Sequence, residues 1–195
     1  AEVGAGYEAS RDGAIVRATK ADASNVLAGW PVTNAFDNDP TTSFSSPTYA
    51  DTAHPESITV SWNEPRDVNV LRILPRYSGA KKALGFPRTF TVSTKEGEAW
   101  QAAGSYADFP APYRGDWIIL PLGKTVSTSA IKIDVASLGD DDVGNFVLQV
   151  AEIEAGFEAG MDGFALLGNF AGIGGQNEIQ NAGSEAINRA DQLGH

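Results

Sequence analysis

The chain contains no cysteine. No disulfide can staple it and no thiolate can hold a structural zinc. Histidine is nearly absent too: His54 and the terminal His195 are the only two. No nucleophile elbow, zinc-protease helix or phosphate-cradling loop appears. Gly172-Ile173-Gly174-Gly175 lacks a preceding strand pattern, so it makes no dinucleotide loop. Basic residues are scarce, with 14 Lys and Arg against 25 Asp and Glu and a formal net charge of -11. Phosphate neutralisation by Lys and Arg carries most nucleic-acid affinity, so this balance argues against nucleic acid and against docking on anionic lipid. Carboxylates this abundant identify no glycosidase by themselves. No apolar run is long enough for a membrane-spanning helix. No signal-peptide pattern is visible, and a start at Ala1 fits a trimmed or a mature N-terminus equally well.

What is present is short-period alternation. Ile58, Val60 and Trp62 alternate with Thr59 and Ser61. Phe90 and Val92 alternate with Thr89, Thr91 and Ser93. Ile131, Ile133 and Val135 alternate with Lys132 and Asp134. A period of two marks half-buried strands. The denser runs 68–74 and 117–120 read as central strands. Asn63-Glu64-Pro65, Glu96-Gly97, Pro110-Ala111-Pro112 and Leu138-Gly139-Asp140 read as turns between them. The pattern predicts an all-β sandwich.

Composition changes after about residue 158. Residues 160–175 are glycine-rich. Ile179, Ala182, Ala186, Ala190 and Leu193 then recur at helical spacing, with Ser184 as a candidate cap. The expected organisation is a β domain over 1–157 and a linker or tail over 158–195, the edge of a neighbouring domain being one reading of that tail.

The segment Asn34-Ala35-Phe36-Asp37-Asn38-Asp39-Pro40-Thr41-Thr42-Ser43-Phe44 gathers side-chain oxygens and turn formers between apolar anchors. Calcium takes about six to eight such oxygens. The same residues also suit an ordinary Asx turn. The wording resembles the "N-A-x-D-G-D-x-x-T-x-W" signature of discoidin domains, also called coagulation factor V/VIII type C domains, whose relatives include the family 32 carbohydrate-binding modules. Further blocks follow in the family's order over roughly residues 15–154: Pro55-Glu56-Ser57-Ile58-Thr59-Val60-Ser61-Trp62, Val70-Leu71-Arg72-Ile73-Leu74-Pro75-Arg76, Gly85-Phe86-Pro87-Arg88-Thr89-Phe90, Glu96-Gly97-Glu98-Ala99-Trp100, Ala130-Ile131-Lys132-Ile133 and Ala151-Glu152-Ile153-Glu154. Phe44 stands where the family usually has Trp, and Asn38 where it has Gly. Asn tolerates the left-handed turn conformation.

The resemblance implies a discoidin-like jelly-roll sandwich, and a bacterial member because no cysteines close its ends. It implies a structural Ca2+ held by Asp37, Asp39, Thr42 and Glu152, with backbone oxygens of Asn34 or Ala35 and of Ala151. It implies a glycan site in the loops at one end, with Arg76 donating to hydroxyls and Tyr49, Phe146 or Trp30 offering a ring beside Asn145. Arg76 also suits a surface ion pair, and Phe146 suits core packing. Val26-Leu27-Ala28-Gly29-Trp30 is the loop that membrane-binding relatives use as a spike. Arg76, Lys81, Lys82 and Arg88 form a basic cluster that suits either a solvated face or an acidic glycan. Asp140-Asp141-Asp142 reads as a solvated loop. The function expected is a non-catalytic carbohydrate-binding or lectin domain of a larger secreted bacterial protein. The alternatives are an adhesion module for protein or membrane, and a purely structural accessory domain.

Overall fold

The computed structural model describes residues 13–77, 79, 82–113 and 116–162. Among them are the strands β1 (Ala14–Arg17), β2 (Lys20–Ala23), β3 (Phe44–Ser45), β4 (Glu56–Pro75), β5 (Thr89–Glu96), β6 (Ala99–Tyr106), β7 (Ile118–Ser137), β8 (Gly139–Asp140), β9 (Phe146–Val147) and β10 (Gln149–Phe157). One turn of 3-10 helix, Val32–Ala35, precedes β3. The main sheet runs β1-β10-β4-β7-β5-β6, with β2 joined to β4 and β3 to β10, and β8-β9 forms a separate ribbon. Every pairing is antiparallel.

The sandwich follows from two 20-residue strands that bend. The first arm of β4 pairs with β2 and with residues 130–135 of β7, while its second arm pairs with β10 and with residues 118–121 of β7. Each long strand thus gives one arm to each layer. The bend falls where the β4–β7 register shifts between Ser61 and Arg66. Pro65 has no N–H for the ladder, so the break is local chemistry. Asn63-Glu64-Pro65 is therefore an exposed corner within one strand, where the sequence pattern predicts a turn between two.

The alternating residues bury one face as expected: Ile58, Val60, Phe90, Val92, Ile131, Ile133 and Val135 are all at most 2% exposed. The run 117–120 is less buried than a central strand, since Ile119 is 38% exposed. Phe86, Phe90, Tyr106 and Phe109 pack ring on ring, the closest pair being Phe90 and Tyr106 at 4.7 Å between centroids. Trp62 Nε1 donates to the Thr128 carbonyl at 2.9 Å, so its polar edge is satisfied inside the core.

β10 ends at Phe157, and the chain beyond it is tied down. Asn69, fully buried, receives the Glu158 amide and donates to the Glu158 carbonyl, both at 2.8 Å. Thr125 Oγ1 reaches both Asp162 carboxylate oxygens at 2.8 and 2.9 Å. The glycine-rich and helical patterns of the tail lie, from residue 163 on, outside the described residues.

Candidate functional site

The oxygen-rich loop hangs between two buried anchors, Ala35 and Phe44, each 0% exposed. Asn34 Nδ2 donates to the Ser43 carbonyl at 3.1 Å and ties the loop's neck. Asn38 sits at φ 62°, the left-handed conformation its side chain tolerates. Asp37 Oδ1 accepts from the Asp39 amide at 2.9 Å, and its Oδ2 from Thr42 Oγ1 at 2.8 Å. Asp39 Oδ1 accepts from the amide and hydroxyl of Thr41 at 2.9 and 2.6 Å. Those bonds hold the Asp39 carboxyl below its usual range. The Asx turns expected from the sequence are thus present.

Glu152 comes to this loop from β10. A register shift between Val150 and Glu152 leaves Ala151 outside the β10–β4 ladder. Such a bulge re-aims the side chains around it. Glu152 is 4% exposed, and its Oε1 is enclosed without a hydrogen-bond partner. Burial, then the nearby Asp37 carboxylate, pushes its carboxyl up to about 7. Two carboxylates far apart in the sequence therefore face each other. No group of three or more His, Cys, Asp or Glu placed to hold a metal ion occurs among the described residues. Thr hydroxyl and backbone carbonyl oxygens would have to complete any shell here. Calcium prefers an all-oxygen donor set of this kind, whereas zinc sites favour nitrogen and sulfur donors.

The expected ligand residues fall into two groups along one seam. In the first, the Arg76 guanidinium lies 4.8 Å from the centre of the Trp30 ring. Arg76 Nη1 donates to Gln149 Oε1 at 2.9 Å, and Gln149 Nε2 donates to Ser45 Oγ at 3.1 Å. Arg76 is thus held by an aromatic face and a buried amide. In the second group, Tyr49 and Phe146 exchange two backbone hydrogen bonds at 2.8 and 2.9 Å. Arg88 lies 5.8 Å from the Phe146 ring centre. Asn145 is turned toward Asp141, to which its Nδ2 donates at 3.1 Å. Phe146 is half-buried against the core.

Tyr49 is not the free platform that the sequence reading gives it. The His54 ring stacks on it at 4.1 Å with planes 12° apart. Its hydroxyl donates to Glu56 Oε1 at 2.5 Å. That bond, then burial, raises the phenol to about 12. Glu56 is 3% exposed and also accepts from Ser24 Oγ and Asn25 Nδ2. The basic cluster changes character as well. Lys82 Nζ and Arg88 Nη2 both reach Asp140, each at 2.7 Å. The Lys82 hydrogen bond foremost pulls Asp140 down to about 2. Lys81 lies outside the described residues. The acid that reads as a solvated loop residue is the counter-ion of the cluster.

Glycine packing fixes this region. At Gly85 (φ 63°) an added Cβ would sit 2.9 Å from Gln149 Cβ and Val147 Cγ1. The Gly85 amide donates to the Asp140 carbonyl and its carbonyl accepts from the Gln149 amide, at 2.8 and 3.0 Å. One backbone position thereby sets both the arginine's amide partner and the cluster's carboxylate.

The F5/8 type C domain profile matches residues 20–153, well over half of the chain. The chain belongs to the F5/8 type C domain family. No curated protein sequence matches it. Solved structures share the fold of this F5/8 type C domain. One is the third family 32 carbohydrate-binding module of a family 31 glycoside hydrolase from Clostridium perfringens, with TM-score 0.61 and 19% identity over 74% of this chain and 95% of that one. Another is the family 32 module of C. perfringens NanJ in complex with galactose, with TM-score 0.56 and 18% identity over 70% and 91%. A third, from the C. perfringens family 89 glycoside hydrolase in complex with GalNAc-β-1,3-galactose, has TM-score 0.54 and 19% identity over 70% and 93%. The fold is the discoidin-like sandwich that the sequence blocks imply.

Gln149, His54, Glu56 and Asp140 were absent from the sequence-based site. Gln149 had a signal: it is the lone polar residue in Val147-Leu148-Gln149-Val150. His54 is one of two histidines. Glu56 and Asp140 carry no local signal.

Proposed function

We propose that this domain is a non-catalytic glycan-binding module, stiffened by a structural calcium ion, that holds a larger secreted protein on a carbohydrate surface. The observation that carries the reading is the Trp30–Arg76–Gln149 arrangement at the loop end. Sugars present apolar C–H faces and fixed hydroxyls, which a ring and a few oriented polar groups can bind. Arg76 is pre-oriented by Gln149, so little entropy is lost in ordering it. The solved modules of like fold hold galactose or GalNAc-β-1,3-galactose and belong in part to glycoside hydrolases, which supports the sugar class and the accessory role. Asp140 pairs with both Lys82 and Arg88, which lowers the pull those two cations exert on a uronic or sulfated sugar and leaves neutral sugars able to compete at this end.

Calcium fits the residues present. The orphaned, buried Glu152 Oε1 beside Asp37 calls for a positive partner. Asp37, Glu152, Thr42 and the carbonyls of Asn34, Asp39 and Ala151 would hold it. The ion would supply charge neutralisation and cross-link the first loop to the last strand.

Calorimetric titration with galactose, N-acetylgalactosamine and galacturonate tests the sugar reading. One site should bind in the micromolar to millimolar range, about -8 to -4 kcal/mol. Arg76→Ala should weaken it at least about tenfold, since hydrogen bonds to charged groups are among the stronger ones. Binding that ignores both Arg76→Ala and Trp30→Ala overturns the site. A membrane reading rests on Val26 and Val143, apolar loop residues 46% and 77% exposed. Co-sedimentation with liposomes, lost on Val26→Ser, would favour it instead.

A further inference from the structure

The opposite end of the sandwich carries a second concavity. β5 runs from Thr89, next to the Arg88 that covers Phe146, to Glu96. Eight extended residues separate those ends by about 25 Å. Beside Glu96, a cavity of about 380 Å³ opens between the β5–β6 hairpin and the corner of β7. A second, of about 330 Å³, adjoins it, and Glu96 and Lys124 border both. Each volume is in the range of small-ligand sites.

The groove is chemically uneven in an informative way. Leu122, Ala102 and Ala103 give it an apolar wall, and Gln101, Glu96 and Lys124 give it a polar one. Glu96 Oε1 is closed off from solvent and receives no hydrogen bond. Lys124 Nζ is 3.4 Å away, close enough for an ion pair but not placed to donate to it. The Glu96 side chain as a whole is still 38% exposed, so it can accept from a ligand hydroxyl in the groove while Oε1 keeps its ion pair.

We propose that this groove is a second saccharide site, for a neutral ring whose adjacent hydroxyls donate to Glu96 and accept from Lys124. Charge selects the class. A phosphate or uronate would meet Glu96, and an amine would meet Lys124, so each charged ligand gains one contact and suffers one repulsion. A diol gains both. The ring's C–H face rests on Leu122 and the alanines. No aromatic ring is among the lining residues, so the groove binds more weakly than the loop end. Two sites at opposite ends let one molecule bridge two glycan chains, which raises retention on a polymer surface through effective concentration. The groove stands independently of the loop-end reading.

The test is a two-dimensional amide NMR titration with lactose and with cellobiose, on wild type and on Arg76→Ala. The amides of Gly97, Gly123 and Lys124 report the groove, and the Trp30 indole reports the loop end. Groove amides should shift in a saturable manner in both proteins. Glu96→Ala should weaken that response at least about tenfold. Ala102→Trp, which fills the groove without touching the ion pair, should abolish it and leave the Trp30 response intact. Groove amides that stay still while Trp30 saturates overturn the proposal, as does a groove response that survives Ala102→Trp. A groove response with a silent Trp30 upholds the groove and refutes the loop-end site.

Discussion

Asp37→Asn should change the domain's stability in opposite directions with and without calcium. Glu152 titrates at about 7 in the fold against a usual 4.5. That gap corresponds to at most about 3 kcal/mol of strain once the carboxyl is ionised. The sign follows from linkage. A raised carboxyl favours its protonated form in the folded state, so the penalty is absent below about 4.5, grows with pH and is full above about 7. Burial is the larger cause and Asp37 the next, so Asp37 accounts for about 1 kcal/mol of it. At pH 8 with a chelator, Asp37→Asn should therefore raise Tm by about 2–4 °C, the yield of about 1 kcal/mol in a domain of this size. Its Oδ1 can still accept from the Asp39 amide, so the turn survives. With calcium the order reverses. An ion at about 100 times its Kd stabilises the wild type by about 2.7 kcal/mol, or roughly 5–10 °C, and the variant loses that gain. Protons compete with the ion for Glu152, so the calcium shift should shrink between pH 8 and pH 5.5. Differential scanning calorimetry with and without chelator, at both pH values, reads all of this. Superimposable wild-type curves with chelator and with calcium at pH 8 would refute the calcium site. A variant destabilised without calcium would refute the carboxylate repulsion.

Asp140→Ala should free Lys82 and Arg88, lower stability by about 1 kcal/mol by chemical denaturation, and move glycan preference toward galacturonate in a competition assay. Because Asp140 is depressed to about 2 by its cationic partners, its contribution is present above about 4 and is lost as pH falls toward 2; a urea midpoint that does not fall across that window would contradict it. Tyr49→Phe removes the phenolic donor from buried Glu56 and should cost about 1–3 kcal/mol, whereas His54→Ala, which unstacks a half-exposed ring and removes its contact with Asp51, should cost less than half of that in the same urea titration. A chain ending at Asp162 keeps the Asn69–Glu158 and Thr125–Asp162 ties and should unfold in one cooperative step at the full-length Tm; a broad, non-cooperative melt would show that later residues complete the core.

The parts of this molecule legible from sequence are those set by local period. Ile58, Val60 and Trp62 announce a strand because successive side chains alternate faces, and that holds whatever the strand pairs with. Pro65 illustrates the limit: its missing N–H was read as a turn signal, yet the fold spends it on a corner between two arms of one strand. The oxygen-rich loop is legible because its oxygens are contiguous, and its neighbour Glu152 is reached only through the family blocks. The charge state of the ligand end is not legible. Asp140 lies 58 residues from Lys82 and 52 from Arg88, and nothing local to Asp140-Asp141-Asp142 distinguishes a counter-ion from a solvated acid. The same holds for Glu56, whose phenol, amide and hydroxyl donors arrive from two loops. Its position at the head of a strand looks exposed until those loops close over it. A run of like charges reports composition, but specificity depends on what remains unpaired after folding. Here Asp140 pairs with two of the four cations of the basic cluster, and Gln149 and Trp30 hold a third, Arg76. The selectivity proposed for this end therefore rests on one carboxylate and one amide, both positioned through the backbone of Gly85.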